Sequence, residues 1–143
     1  MTKRIFMICK GQLDKAIPII SLSQAFKNNK YDVSIICSNI SSPLERYMSK
    51  NNIVVKSLNL KVDMSNKGLL SKIKFKINHW FQFRYKVKFF LKSISNTDLL
   101  YISTADTAIS LKGLIKEHTY FIHLRELYDE FPIYMKLLKK IVN

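Results

Sequence analysis

Short apolar runs and helical stripes alternate along most of the chain. Arg4-Ile-Phe-Met-Ile-Cys9 is too short for a helix, closes at Lys10-Gly11-Gln12, and predicts a strand buried on both faces. Asp14 is placed to cap a helix running to about Asn29, with Ile17, Ile20, Leu22, Ala25 and Phe26 mostly on one face and Pro18 tolerated in the first turn. Asp32–Cys37 predicts a second strand, and Ser41-Ser42-Pro43 starts a helix through about Lys50. Ile53–Leu58, rich in β-branched residues, predicts a third strand, and a polar loop follows at 61–68. Further on, Asp98–Ser103 predicts a fourth strand, a helix capped by Thr104 or Asp106 reaches about Lys116, and Thr119–Leu124 predicts a fifth strand. The last pattern is helical from about Pro132, with Ile133, Leu137, Leu138 and Ile141 on one stripe.

The segment between the third and fourth strands fits two periods. From Ile73 to Phe89 the odd positions are apolar except His79, and the even positions are polar except Trp80, as in a half-buried strand. The helical template also fits, with Leu70, Ile73, Ile77, Trp80, Val87, Leu91 and Ile94 on a broad stripe broken by Arg84. A strand of that length is far above the usual five or six residues. Two parallel strands in one sheet also need a crossover, so the reading is a long helix over 69–95. The whole alternation predicts an α/β, Rossmann-like three-layer domain with a parallel sheet.

Composition narrows the class. The chain has 143 residues, 48% of them hydrophobic, which suits one domain with a packed core and excludes a disordered or disulfide-dependent scaffold. Cys9 and Cys37 lie in apolar runs without metal or redox spacing, so they read as core thiols. No stretch approaches the apolar length of a membrane span, and no signal peptide is evident, so the expected location is cytoplasmic.

The formal net charge of +14 draws the chain towards anionic partners. Much of it is local: residues 64–97 carry no Asp or Glu but hold Lys67, Lys72, Lys74, Lys76, Arg84, Lys86, Lys88 and Lys92 among aromatic side chains. Lys72, Lys74, Lys76, Trp80, Arg84, Lys86 and Lys88 are therefore candidates for contact with an anionic membrane surface, rings at the interface and cations on lipid phosphates. A solvated face on a core helix explains the same pattern, and stacking on single-stranded nucleic acid is a further alternative.

In a wound parallel sheet, ligands bind at the carboxyl ends of the strands. That rim would hold Lys10-Gly11-Gln12, Ser38-Asn39, Ser103-Thr104 and His123–Glu126. No G-x-G-x-x-G or G-x-x-x-x-G-K-[ST] is present, which removes the generic dinucleotide and P-loop readings, and no H-E-x-x-H or acidic metal cluster occurs. No cofactor or metal is expected. The rim candidates for substrate binding are Gly11, Gln12, Ser103 and His123. Gly11 also reads as a simple turn glycine and His123 as a satisfied strand-end histidine.

His123-Leu-Arg-Glu-Leu-Tyr-Asp-Glu-Phe-Pro132 after the fifth strand is the most specific run. With the opening strand into a Gly-containing turn, Tyr31-Asp-Val-Ser-Ile-Ile, and Thr97-Asp-Leu-Leu-Tyr-Ile, it resembles the N-terminal domain of GT-B glycosyltransferases of family 4. Members commonly show His-Glu-Leu-aromatic and an acidic residue here, which Arg125-Glu126-Leu127-Tyr128 and Glu130 echo with Arg125 in the His place. The first turn has one glycine where many members have two or three.

What the resemblance implies is the acceptor-side domain of a retaining hexosyl-type enzyme. It would transfer a sugar from a nucleotide-sugar donor to a membrane-linked glycan acceptor, in bacterial surface polysaccharide synthesis such as capsule or lipopolysaccharide. The enzyme would sit peripherally on the inner face of the plasma membrane. The C-terminal donor-binding domain is absent from residues 1–143, so activity of this chain alone is not expected. Arg125 and Glu126 are the catalytic candidates. A guanidinium stays protonated, so Arg125 would clamp phosphate rather than act as a base. An ion pair of Arg125 with Glu126, Asp129 or Glu130, and dipole complementation by Glu126, explain the same residues structurally. The alternative function is a noncatalytic membrane-surface or nucleic-acid-binding basic module, with nucleic acid not the expected partner.

Overall fold

The computed structural model describes residues 3–65 and 67–124, together with Lys136, Lys139 and Lys140. Arg125, Glu126 and the apolar stripe expected at 133–141 lie outside the described residues.

Five strands, β1 (Arg4–Gln12), β2 (Asp32–Asn39), β3 (Val54–Ser57), β4 (Leu99–Ile102) and β5 (Thr119–Ile122), form one sheet in the order β3-β2-β1-β4-β5. Every neighbouring pair is parallel. In the centre, Met7 stands between Ile35 and Tyr101, and Ile8 between Ile36 and Ile102. The chain is thus an α/β, Rossmann-like three-layer domain, as its alternating pattern predicts.

The alternating side chains of β1 divide two cores. Ile5, Met7 and Cys9 face Leu13, Ile19 of α1 (Ile17–Asn28) and Met48 of α2 (Ser42–Lys50). On the other face, Ile8 packs with Phe83, Val87 and Leu91 of α3 (Leu69–Leu91) and with Ala105 and Ala108 of α4 (Ala105–Ser110). Burying one such Ile or Leu fully contributes about 1.5–3 kcal/mol, so both cores depend on this strand.

Several local expectations change. β1 continues past Cys9 through a register shift to Gln12, and Gly11 in that shift has φ +150°. A Cβ there would meet nothing within 4 Å, so the backbone angle, not space, calls for glycine. Asp14 does not cap α1. It lies in a 3-10 turn (Leu13–Lys15), and its carboxylate accepts from the Ser41 backbone N–H (3.0 Å) and the Ser41 hydroxyl. Ser41 holds the N-cap position of α2 with Pro43 just inside, as the pattern has it, but its hydroxyl donates to Asp14 and bonds no amide of the helix. In α1 the buried positions are Ile19 and Ser23, while Ile17 is exposed.

The helix reading of the ambiguous segment is correct, but its stripe is shifted. Leu70, Ile73 and Ile77 are exposed, and the core contact comes from Phe83, Val87, Leu91 and, beyond the helix, Ile94. Only the second half of α3 joins the core on this face of the sheet. α4 ends at Ser110 rather than near Lys116, in turns that include Gly113 at φ +81°.

Candidate functional site

The strand order reverses between β1 and β4, and side chains converge where those two strands end. Thr104 caps α4, its hydroxyl accepting from the Thr107 N–H (3.2 Å), while the Thr107 hydroxyl accepts from the Lys10 N–H (3.1 Å). This leaves Asp106, the alternative cap, free to approach the Lys10 ammonium at 3.1 Å. The Lys10 side chain is only 12% exposed and that of Asp106 48%, so the cation is the more enclosed partner.

A cleft of about 500 Å³ opens beside this pair, walled by Gly11, Val62 and Met64 on one side and by Phe75, Lys76, Ile77, His79 and Trp80 of α3 on the other. His79 also borders a second cleft of about 510 Å³ with Lys61, Lys67 and Lys86. Val62, Met64 and Lys76 are shared with a third of about 640 Å³, which adds Gln12, Lys15, Asp63 and Lys72. The three adjoin along the carboxyl edge of the sheet. Lys10, Lys15, Lys61, Lys67, Lys72, Lys76 and Lys86 border them, against Asp63 and Asp106.

His79 is the centre of an aromatic column on α3. Its ring stacks on Phe75 and on Phe83 with centroids 6.3 Å apart in each case, and the Lys67 ammonium lies 4.4 Å from the Phe75 ring centre. The column follows from the i, i+4 spacing of Phe75, His79 and Phe83. His79 Nε2 is buried with no hydrogen-bond partner. Burial lowers the His79 pKa below its ordinary value, the Lys10 charge adds to that, and Asp106 opposes it, so the ring is neutral at neutral pH.

The sequence candidates distribute unevenly around this site. Gly11 lines the first cleft and Gln12 the third, where its amide donates to Asp14 (3.3 Å). Ser103 is buried, and its hydroxyl has no partner. His123 stands apart at the end of β5, its Nδ1 hydrogen-bonded to the Tyr101 hydroxyl. Lys72, Lys74, Lys76 and Lys88 are exposed, but Arg84 and Lys86 turn inward. Arg84 donates to the carbonyls of Ser110 (2.9 Å) and Lys112 (2.8 Å), and Lys86 donates to that of Leu58 (2.6 Å). Trp80 is half-buried, edge-on to Phe81 and under Arg84.

Sequence reasoning did not select His79, Phe75 or Asp106. A signal was present: His79 and Trp80 are the two exceptions to the alternation over 73–89, and both line the cleft. Among the described residues no group of three or more His, Cys, Asp or Glu is placed to hold a metal ion, and no helix is long and apolar enough to cross a membrane.

No family model and no curated protein matches the chain. Two crystal structures of the C-terminal domain of a hydrogenase from Pyrococcus furiosus are similar to it, each with a TM-score of 0.59. Identities are 16% and 18%, over 85% and 86% of this chain and 92% and 94% of the other. At such identity the likeness shows the fold alone, an open parallel α/β sheet.

Proposed function

We propose that the chain is the acceptor-side domain of a family 4 type glycosyltransferase that works on a membrane-linked glycan acceptor at an anionic membrane face. The observation that carries this reading is the outward half of α3. Leu69, Leu70, Ile73, Ile77 and Phe81 are all exposed there, with Lys72, Lys74 and Lys76 between them. Exposed apolar side chains among lysines suit insertion into a headgroup layer, where each Lys near the surface contributes about 1 kcal/mol. The helix borders the clefts at the carboxyl edge, so a membrane docked on it would bring a lipid-linked acceptor to the place where wound sheets bind ligands. The resemblance of the run from His123 to Pro132 supports the transferase class, and nucleotide-sugar would be supplied by a donor domain.

Flotation with vesicles of phosphatidylglycerol and phosphatidylcholine tests the docking. The chain should float with the anionic vesicles, and the K72E/K74E/K76E variant should remain in solution at unchanged melting temperature. Transfer of labelled sugar from nucleotide-sugar to a lipid extract, by membranes with and without the gene product, tests the chemistry. Equal labelling in both would exclude the transferase reading, whatever the flotation result.

A further inference from the structure

We infer that the cleft between Lys10, Lys76, His79 and Trp80 binds a phosphoanion attached to an apolar or aromatic body. The inference stands whether or not the chain serves glycosyl transfer. Three independent observations meet there. First, Lys10 and Lys76 border the cleft against one carboxylate, Asp106, which pairs with Lys10 and leaves Lys76 as the uncompensated cation. The adjoining clefts add Lys15, Lys61, Lys67, Lys72 and Lys86 against Asp63, so the approach path is cationic. Second, the remaining wall is apolar: Val62, Met64, Phe75, Ile77 and Trp80. A bare anion would leave that wall against water, while a body carried by the anion would cover it. Third, His79 Nε2 is buried without a partner, and buried polar atoms are otherwise almost always hydrogen-bonded.

The chemistry assigns roles. Lys76, exposed and unpaired in any described ion pair, supplies the movable cation that closes on the anion. Lys10 is held by Asp106 and by its own backbone bond to Thr107, so it is a fixed charge at the floor. The His79 ring, stacked between Phe75 and Phe83, offers Nε2 for one hydrogen bond to a phosphate oxygen once the side chains that bury that atom move aside, and a bound anion favours its protonated form. The charged groups acting on it are Lys10 and Asp106, with Lys76 on the shared cleft and Lys67 and Lys86 across the second.

The phosphoanion could be carried by a prenyl chain or by a nucleoside, and titration of the full 143-residue chain separates them. The probes are inorganic pyrophosphate, uridine diphosphate and monomeric farnesyl phosphate, followed by calorimetry and by the His79 C2–H resonance. One of the two esters should bind at least tenfold more tightly than pyrophosphate and move the His79 titration to higher pH. Lys76→Gln should weaken it about tenfold, as expected for one charge-assisted contact, and His79→Phe should remove the proton uptake while keeping the stack. Lys116→Gln, the same charge change before β5 at the opposite edge of the sheet, should do nothing. Equal affinity for pyrophosphate and both esters, absence of binding at millimolar probe, or equal losses from Lys76→Gln and Lys116→Gln would each overturn the assignment.

Discussion

Arg4 grips Asp98 through two bonds, Nη2 to Oδ2 at 2.6 Å and Nε to Oδ1 at 3.1 Å, fastening the start of β1 to the residue before β4. The Asp98 side chain is 7% exposed and also accepts from the Ser95 N–H, whereas the Arg4 side chain is 45% exposed. The carboxylate is therefore the member that cannot be left unpaired cheaply. Asp98→Ala should cost about 1–3 kcal/mol in urea denaturation, through the unmet Ser95 amide, since the half-exposed Arg4 guanidinium recovers water. Arg4→Ala should cost more, because it leaves the enclosed Asp98 carboxylate without its countercharge.

Arg84 should behave as a structural residue. Its bonds to the Ser110 and Lys112 carbonyls close the end of α4 and join it to α3. A charged donor on helix-terminal carbonyls contributes about 1–2 kcal/mol, so Arg84→Gln should lower the melting temperature by several degrees while Lys74→Gln leaves it unchanged. Vesicle binding should show the reverse order of sensitivity.

The contact between Asp14 and Ser41 predicts a pH effect. Burial raises the Asp14 pKa, but bonds from the Ser41 hydroxyl and backbone N–H and from Gln12 outweigh it and hold the carboxyl below its ordinary value of 3.8. A carboxylate depressed in the folded state adds stability above its unfolded pKa and loses it as pH falls through the folded one. Thermal melting should therefore show a contribution present at neutral pH and lost below about pH 4, and Ser41→Ala should flatten that acid limb.

Cys9 and Cys37 stand opposite each other in the β1–β2 register and both are buried. Burial, then the neighbouring Cys9 and the carboxylates of Asp14 and Glu45, pushes the Cys37 thiol up to about 12. With no thiolate, Cys37 should resist Ellman's reagent at pH 8 in the folded chain, and both thiols should react on unfolding in urea. Reaction of Cys37 in the native state would contradict its place in the core.

The fold was readable because each strand of the sheet is short, apolar and bounded by a turn or a helix cap, and because β3 and β4, parallel in one sheet, demand a crossover between them. The stripe of α3 was not readable in the same way. Its apolar residues continue at helical spacing from Leu70 to Ile94, yet only the part from Phe83 onward meets the sheet. Periodicity records which residues share a side of a helix, not how much of that side the next layer covers. Local hydrogen bonds were also misjudged at Asp14, where the pattern of an N-cap is satisfied but Ser41, far along the chain, competes for the carboxylate. The binding cleft was half legible. The rim position of Lys10 and Gly11 followed from strand ends, whereas the cleft's other wall needed the placement of α3.

The central position of β1 also sets an order of assembly. Arg4–Gln12 leaves the ribosome well ahead of its second neighbour, Leu99–Ile102. Until Leu99–Ile102 follows, one side of Ile5–Cys9 has no partner, and that run is apolar, uncharged and free of proline, the composition that templates intermolecular pairing. Nascent chains of this protein thus carry an adhesive segment with one edge open until β4 emerges. Its yield in cells should depend on chaperone supply during translation more than on the stability of the finished sheet.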